Sequence, residues 1–242
     1  MFFVLAAMEY YPYIESERNY KEIQKRFVTD TNEDDADESV ETEDTENPED
    51  ALIDINFEAL LDEYSDAIGW IYVPGTHINY PIMKGSDDTF YLNHDPAGNY
   101  NKLGSIFVPA NTPDSMNAAH TVIYGHNMRS GRMFGDLSDY ASESFRDNYP
   151  YIYLYTPEGM RVCAVYNAYT CTGGDDNYRI EMDIGTEEYA EWITQSLEPL
   201  SYKVQKVKFN EQVQTVTLST CTDSGSIRNR FVVHCAVIEK NP

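Results

Sequence analysis

The chain has 242 residues, enough for one domain of ordinary size with a tail, and a formal net charge of −24. The first 50 residues carry 16 acidic and 4 basic side chains, so half of the net charge lies in about a fifth of the chain. The sequence has no basic stripe that could neutralise phosphates, and this excludes nucleic acid as a partner. The four cysteines lack the C-x-x-C spacing that is typical of zinc or redox sites.

The N-terminal segment, residues 1–28, begins with the apolar run M-F-F-V-L-A-A-M. A helix that spans a bilayer needs about 20 such residues, so this run cannot cross a membrane by itself. It is interpreted either as the remnant of a membrane anchor or as the start of a helix, and residues 9–28 have the pattern of a weak amphipathic helix. Residues 29–50 contain 12 acidic residues and no basic ones, which predicts a disordered spacer.

A folded domain is predicted over residues 51–242, and it opens with a helix. The segment N-F-E-A-L-L-D-E-Y has apolar residues at helical spacing, and Asn56 is suited to cap it. Short strands then alternate with turns, as in G-W-I-Y-V, I-N-Y-P-I, G-S-I-F-V and H-T-V-I-Y-G-H. A helix at 186–200, with Thr186 as its N-cap, precedes three further strands near 202–209, 213–220 and 231–238. Many short strands with few helices predict a mainly β fold, a closed or nearly closed barrel.

Three side chains at predicted strand ends form a candidate catalytic site. One strand ends at His126, another ends at Cys221, and Arg230 lies at the start of the last strand, with Arg228 as the alternative cation. A thiol attacks carbonyls efficiently only as the thiolate, so it needs a nearby base or cation. The oxyanion that forms next needs a fixed positive donor. These residue types therefore indicate cysteine acyl transfer, provided that the strands are neighbours.

The other cysteines and histidines have simpler interpretations. Cys163, Cys171 and Cys235 lie in strand-like runs and are expected to be buried free thiols. The remaining histidines lie in turns, before a strand or in the apolar last strand, and are expected to be structural or solvated: His77, His94, His120 and His234. His126 differs, because a strand delivers it, Gly125 permits close backbone approach and a polar loop follows.

These motifs resemble those of the class B sortases, the cysteine transpeptidases of Gram-positive cell surfaces. The resemblance covers about residues 54–239 and rests on segments that occur in the family's order, I-G-W-I-Y-V-P-G-T-H-I-N-Y-P-I, F-Y-L-N-H-D, G-S-I-F-V, Y-G-H-N-M-R-S-G-R-M-F-G-D-L, P-Y-I-Y-L-Y-T-P-E-G and T-L-S-T-C. It implies a mainly β fold with peripheral helices. The expected architecture is an eight-stranded sortase-type β-barrel with N-terminal helices and a helix in the insertion before the last two strands.

The resemblance also implies a role for each candidate residue. Cys221 is expected to be the nucleophile and His126 the general acid and base. Arg230, which directly precedes the last strand, is expected to stabilise the oxyanion or to position the substrate. Ser219 and Leu92 match positions that line the sorting-signal groove in this family.

The implied reaction is cleavage of a C-terminal sorting signal, similar to Asn-Pro-x-Thr-Gly, at the Thr carbonyl. A thioacyl-enzyme forms, and the surface protein passes to an amine of the cell wall precursor. Transfer to a pilin Lys, hydrolysis by a cysteine peptidase and a non-catalytic surface-binding module are the alternatives. No cofactor or metal is expected, and the chain is expected to be a monomer. The implied location is the extracellular face of the cell membrane, with an N-terminal anchor that is incomplete in this sequence.

Overall fold

The computed structural model describes residues 2–30, 53–173, 178–197, 209–222 and 229–241. Within these ranges the helices are α1 (Phe2–Phe27), α2 (Phe57–Glu63), α3 (Glu143–Asn148) and α4 (Glu187–Leu197), with 3-10 helices at Phe90–Leu92 and Gly135–Ala141. The strands are β1 (Val28–Asp30), β2 (Ile53–Ile55), β3 (Ala67–Tyr72), β4 (Asn79–Lys84), β5 (Ile106–Val108), β6 (His120–Tyr124), β7 (Tyr151–Thr156), β8 (Gly159–Thr172), β9 (Thr215–Cys221) and β10 (Asn229–Asn241).

Eight strands close into a barrel in the order β10-β8-β7-β3-β4-β5-β6-β9. Two neighbouring pairs, β4 with β5 and β6 with β9, are parallel. The mainly β barrel confirms the predicted fold class, and α4 lies in the insertion before the last two strands, as expected. The strand predicted near 202–209 falls, except for its last residue, outside the described residues.

Two helices begin where the sequence supplies an N-cap. The Asn56 side-chain oxygen accepts the backbone N–H of Ala59 at 3.0 Å, and α2 begins at the next residue. The Thr186 hydroxyl oxygen accepts the backbone N–H of Tyr189 at 3.2 Å, and α4 begins directly after Thr186. Each bond satisfies an N–H group that has no acceptor within its own helix.

Helix α1 packs against the barrel. Its residues Tyr20, Ile23 and Phe27, spaced three and four apart on one helical face, are buried in the main hydrophobic core. The chain continues directly into β1, which pairs antiparallel with β2. The rest of the predicted acidic spacer, 31–50, lies outside the described residues. No helix in the described ranges combines the length and apolarity needed to cross a membrane.

The central residues of β9 and β10 are buried on both faces. Leu218 and Val233 point into the barrel core, whereas Thr217 and His234 lie on the opposite, outer face. Trp192 of α4 covers that outer face and contacts His234 edge-on, with ring centroids 6.4 Å apart. The insertion therefore adds a second hydrophobic core over these strands. Because both faces of the strands are covered, a site that is open to solvent can form only at their ends.

Candidate active site

Cys221 is the last residue of β9 and is exposed, whereas the six residues before it are buried. Strand β10 runs antiparallel beside β9, and Arg230 is the direct partner of Cys221 in that register. Directly opposed residues place their side chains on the same face, with Cβ atoms about 5 Å apart. The strand register therefore fixes the arginine backbone beside the cysteine.

Arg230 is also opposed to Cys171 on β8, so a cysteine flanks it on each side. Its Nη1 donates to the carbonyl oxygen of Asn229 at 3.1 Å. Burial raises the pKa of Tyr124 to about 12, and the positive charge of Arg230 opposes that rise. A guanidinium therefore lies at the barrel edge where β6, β8 and β9 end and β10 begins.

The backbone just before His126 is tightly held. The N–H of Gly125 donates to the Ser219 carbonyl oxygen at 3.2 Å, and the Gly125 carbonyl accepts the Thr220 hydroxyl at 2.8 Å. A Cβ on Gly125 would lie 2.5 Å from Cδ1 of Ile106, so only glycine fits without a shift of its neighbours. The close approach expected at Gly125 is thus present, and it delivers His126 to the edge at which β9 ends.

The imidazole of His126 is oriented by a backbone group. Its Nε2 lies 2.6 Å from the carbonyl oxygen of Leu92, the last residue of a 3-10 helix. Because a carbonyl oxygen can only accept, Nε2 carries the hydrogen, and in the neutral ring Nδ1 holds the lone pair. Leu92 is 41% exposed beside this contact. Leu92 was expected to line the groove, and its contact with the histidine was not anticipated from the sequence.

Asn127 links the histidine segment to the cysteine strand. Its side-chain nitrogen donates to the carbonyl oxygen of Cys221 at 2.8 Å. Since Asn127 directly follows His126, one side chain ties together the two backbones that carry the candidate thiol and imidazole. The sequence offered no sign of this bond, because it depends on β6 and β9 being neighbours.

Ser219 lies beneath the insertion. It is 1% exposed, and its hydroxyl is 2.9 Å from the hydroxyl of Tyr178. The Tyr178 ring stacks on Tyr124 with centroids 6.2 Å apart, and burial raises the Tyr178 pKa above its ordinary value. Sequence reasoning missed Tyr178, because a tyrosine in a polar loop gives no signal until the insertion is folded over β9.

The arrangement gathers Cys221, His126 and Arg230 at one edge of the barrel. Within the described residues, the imidazole of His126 hydrogen-bonds to the Leu92 carbonyl and makes no hydrogen bond with the thiol of Cys221. Catalytic hydrogen bonds are often long in unliganded enzymes and shorten when substrate binds. In the described ranges, no cluster of three or more His, Cys, Asp or Glu residues could hold a metal ion.

Several known proteins are similar to this chain in sequence and in fold. A family model described as Sortase domain matches residues 71–238. Sortase B of Listeria monocytogenes is 31% identical over 179 residues, which cover 72% of this chain and 71% of that protein. Sortase B from B. anthracis in complex with AAEK1 aligns with a TM-score of 0.75 and 27% identity, covering 95% of this chain and 99% of the other. A Staphylococcus aureus sortase B–substrate complex aligns with a TM-score of 0.69 and 29% identity, and the alignment covers 76% of this chain and 84% of the other.

The fold, the cysteine at a strand end and these similarities define a cysteine transpeptidase. The chain belongs to the sortase family, whose members are cell-surface enzymes. Within that family it is a class B sortase, since its curated and structural relatives are sortase B proteins.

Proposed function

We propose that this sortase cleaves a C-terminal sorting signal of the Asn-Pro-x-Thr-Gly type and transfers the surface protein to an amine of the cell wall precursor. The observation that supports this most directly is the cross-strand pairing of Cys221 with Arg230 beside the segment that carries His126. A nucleophile, a proton carrier and a fixed cation are the parts that acyl transfer requires.

In the proposed first half-reaction, the thiolate of Cys221 attacks the Thr carbonyl carbon and a C–S bond forms. The carbonyl electrons move onto oxygen, where the guanidinium of Arg230 stabilises the negative charge. His126, which holds the proton given up by the Cys221 thiol and is therefore an imidazolium, donates that proton to the departing amine as the C–N bond breaks and is left neutral. A thioacyl-enzyme remains, and the released fragment leaves with a neutral amino group.

In the second half-reaction, an acceptor amine attacks the thioester carbonyl. His126 removes a proton from that amine, and the C–S bond breaks to regenerate the thiolate of Cys221. The new amide bond joins the surface protein to the acceptor. Water in place of the amine gives hydrolysis, and a pilin Lys in that place gives pilus polymerisation, so the acceptor distinguishes the three outcomes.

We assign the groove that receives the sorting signal to the outer face beside this edge, with Ser219 and Leu92 among its walls. The exposure of Leu92 beside the imidazole supports this assignment. Ser219 lies two residues before Cys221 on the same face of β9, but Tyr178 covers its hydroxyl, so we place Ser219 behind the Tyr178 ring. Cell-surface enzymes act outside the membrane, and we propose that this chain acts there as a monomer.

The decisive experiment compares purified wild type with Cys221→Ala and His126→Ala on a fluorescent Asn-Pro-x-Thr-Gly peptide, with and without an added amine. Both substitutions should reduce transfer by about a thousandfold or more, and the losses should not add in the double variant. Product that forms only with the amine supports transfer, whereas equal turnover without it supports the hydrolytic alternative. Substantial transfer by Cys221→Ala would contradict the assignment.

The choice of cation is tested separately. Arg230→Lys keeps the charge but loses the planar guanidinium, so transfer should fall sharply, and loss of one oxyanion donor typically costs about 10²–10³-fold in rate. Arg228→Ala is the matched control; Arg228 itself lies outside the described residues. An inactive Arg228→Ala beside an active Arg230→Ala would move the assignment to Arg228.

A further inference from the structure

The carbonyl that orients His126 is held in place by its own neighbours. Leu92 ends the short 3-10 helix, and the loop 93–105 returns beside it. A Cβ on Gly104 would lie 2.6 Å from the Leu92 carbonyl oxygen, so the Gly104 backbone packs directly against that oxygen. Gly104 has a φ of +58°, which glycine adopts without strain. The position of Gly104 therefore limits where the acceptor of His126 can lie.

Gly104 is anchored in turn by the N-terminal helix. The hydroxyl of Tyr20, on α1, donates to the Gly104 carbonyl oxygen at 2.5 Å and lies 3.2 Å from the Ser105 hydroxyl. Tyr20 is 5% exposed, and its ring packs edge-on against Tyr80 with centroids 5.3 Å apart. Burial raises the pKa of Tyr20 well above its ordinary value, so the hydroxyl stays protonated and remains a donor.

A second contact ties α1 to the same loop. The Ser16 hydroxyl, one turn before Tyr20, donates to the side-chain oxygen of Asn101 at 2.7 Å. That oxygen also accepts the backbone N–H of Leu103 at 2.9 Å, just before Gly104. Helix α1 thus holds the loop at two points, at Asn101 and at Gly104, the residue that touches Leu92.

We propose that Tyr20 is a positioning residue for His126. Its hydroxyl fixes Gly104, Gly104 fixes the Leu92 carbonyl, and that carbonyl keeps the imidazole hydrogen on Nε2 and the lone pair on Nδ1. The inference rests on the proposed function, because it takes His126 to be the group that moves the proton. It makes α1 part of the catalytic apparatus in addition to its place in the core.

The test uses Tyr20→Phe in the full chain, which removes the hydroxyl and retains the buried ring. Nitrogen NMR of the His126 imidazole reports which ring nitrogen carries the hydrogen, and steady-state kinetics on sorting peptide with amine give kcat and KM. We expect a mixed population of the two neutral tautomers and a fall in kcat of about five- to tenfold, the rate equivalent of one hydrogen bond. KM should change less than kcat, since the hydroxyl of Tyr20 acts on the backbone carbonyl of Leu92 and not on the Leu92 side chain that faces the groove.

Tyr155→Phe is the matched control. Tyr155 is also a buried tyrosine, and its hydroxyl oxygen accepts the backbone N–H of Ile53 at 3.3 Å, away from the loop 93–105. This variant should retain the wild-type tautomer and kcat. Gly104→Ala is a second probe that should give the same signature as Tyr20→Phe, because its Cβ would displace the Leu92 carbonyl.

Three results would overturn the inference: a wild-type tautomer in Tyr20→Phe, a changed tautomer without a change in kcat, or an equal loss of kcat in the Tyr155→Phe control. Each of these leaves the proposed function intact if His126→Ala is inactive. An active His126→Ala would instead refute the catalytic role of the histidine. The two failures are therefore distinguished in one set of assays.

Discussion

Acid should destabilise the barrel through two buried histidines, His120 and His234. Their imidazoles each lie 2.7 Å from one hydroxyl oxygen, that of Thr217. Burial lowers the pKa of His120 to about 4. Burial, and then the charge of His120, lowers the pKa of His234 to about 3. Both groups therefore resist protonation in the folded chain far more than they do in the unfolded chain.

The hydrogen bonds around this pair run in one direction. His120 Nδ1 lies 2.6 Å from the Arg179 carbonyl oxygen, which can only accept, so Nδ1 carries the hydrogen. His120 Nε2 then accepts from the Thr217 hydroxyl, whose oxygen accepts from His234 Nδ1. His234 Nε2 accepts from the Tyr169 hydroxyl at 3.1 Å. A second proton on either imidazole would make two donors face each other in this series of hydrogen bonds.

The magnitude follows from the difference between the folded and unfolded states. In the unfolded chain each histidine titrates near 6.5. Because both folded pKa values are lower, the unfolded chain binds more protons, and stability is lost as the pH falls below about 6.5. Each such histidine lowers the free energy of unfolding by about 1.4 kcal/mol for each pH unit of acidification, so the pair should lower it by about 2.7 kcal/mol per unit below pH 6. Between pH 7 and 5 the expected loss is about 4 kcal/mol.

The assay is urea unfolding at fixed ionic strength from pH 7 to pH 5, where most carboxylates remain ionised. His234→Asn keeps an N–H donor toward Thr217 but removes one titrating group. The slope of unfolding free energy against pH should therefore fall to about half of the wild-type value. Equal slopes for the two proteins between pH 6 and 5 would refute this account of the buried pair.

Three further predictions concern the site edge and α1. Asn127→Ala removes the donor that holds the Cys221 carbonyl, so transpeptidation kcat should fall about tenfold while circular dichroism stays unchanged. Gly125→Ala forces a Cβ against Ile106, and urea unfolding should show a loss of about 1–3 kcal/mol, with activity lost as well. Phe27→Ala opens a cavity at a residue that is 1% exposed, and the same measurement should show a loss of about 3–5 kcal/mol. Unchanged stability in Phe27→Ala would mean that α1 does not belong to the core.

Local patterns were sufficient for much of the fold. Alternating residues and turn signals predicted short strands, and the capping residues Asn56 and Thr186 marked the helix starts that the structure shows. The motifs also predicted that Cys221, His126 and Arg230 lie at strand ends. These features depend on residues close in sequence, so the sequence carries them directly.

Strand partners and register could not be read from the sequence. The pairing of Arg230 with Cys221 requires β9 and β10 to be aligned in one register, and a slip of one residue would reverse the faces. The contact of His126 with Leu92 spans 34 positions and arises from the barrel closing. The sequence predicted a weak amphipathic helix near the N-terminus, but the burial of Tyr20 follows from its docking on the barrel.

The position of a cysteine along its strand determines whether it can act as a nucleophile. Cys163 and Cys235 lie inside strands and are buried, and burial raises the pKa of the Cys163 thiol to about 12 and that of Cys235 well above its ordinary value. Thiolate is the reactive form, so these two thiols are inert. Cys221 ends its strand, where the ladder fixes its backbone and its side chain meets solvent. The same strand end adjoins the cation Arg230. Cys171 is also opposed to Arg230, but it is only partly exposed and its sulfur lies 4.0 Å from the Tyr178 hydroxyl, so Cys221 is the exposed thiol beside this charge.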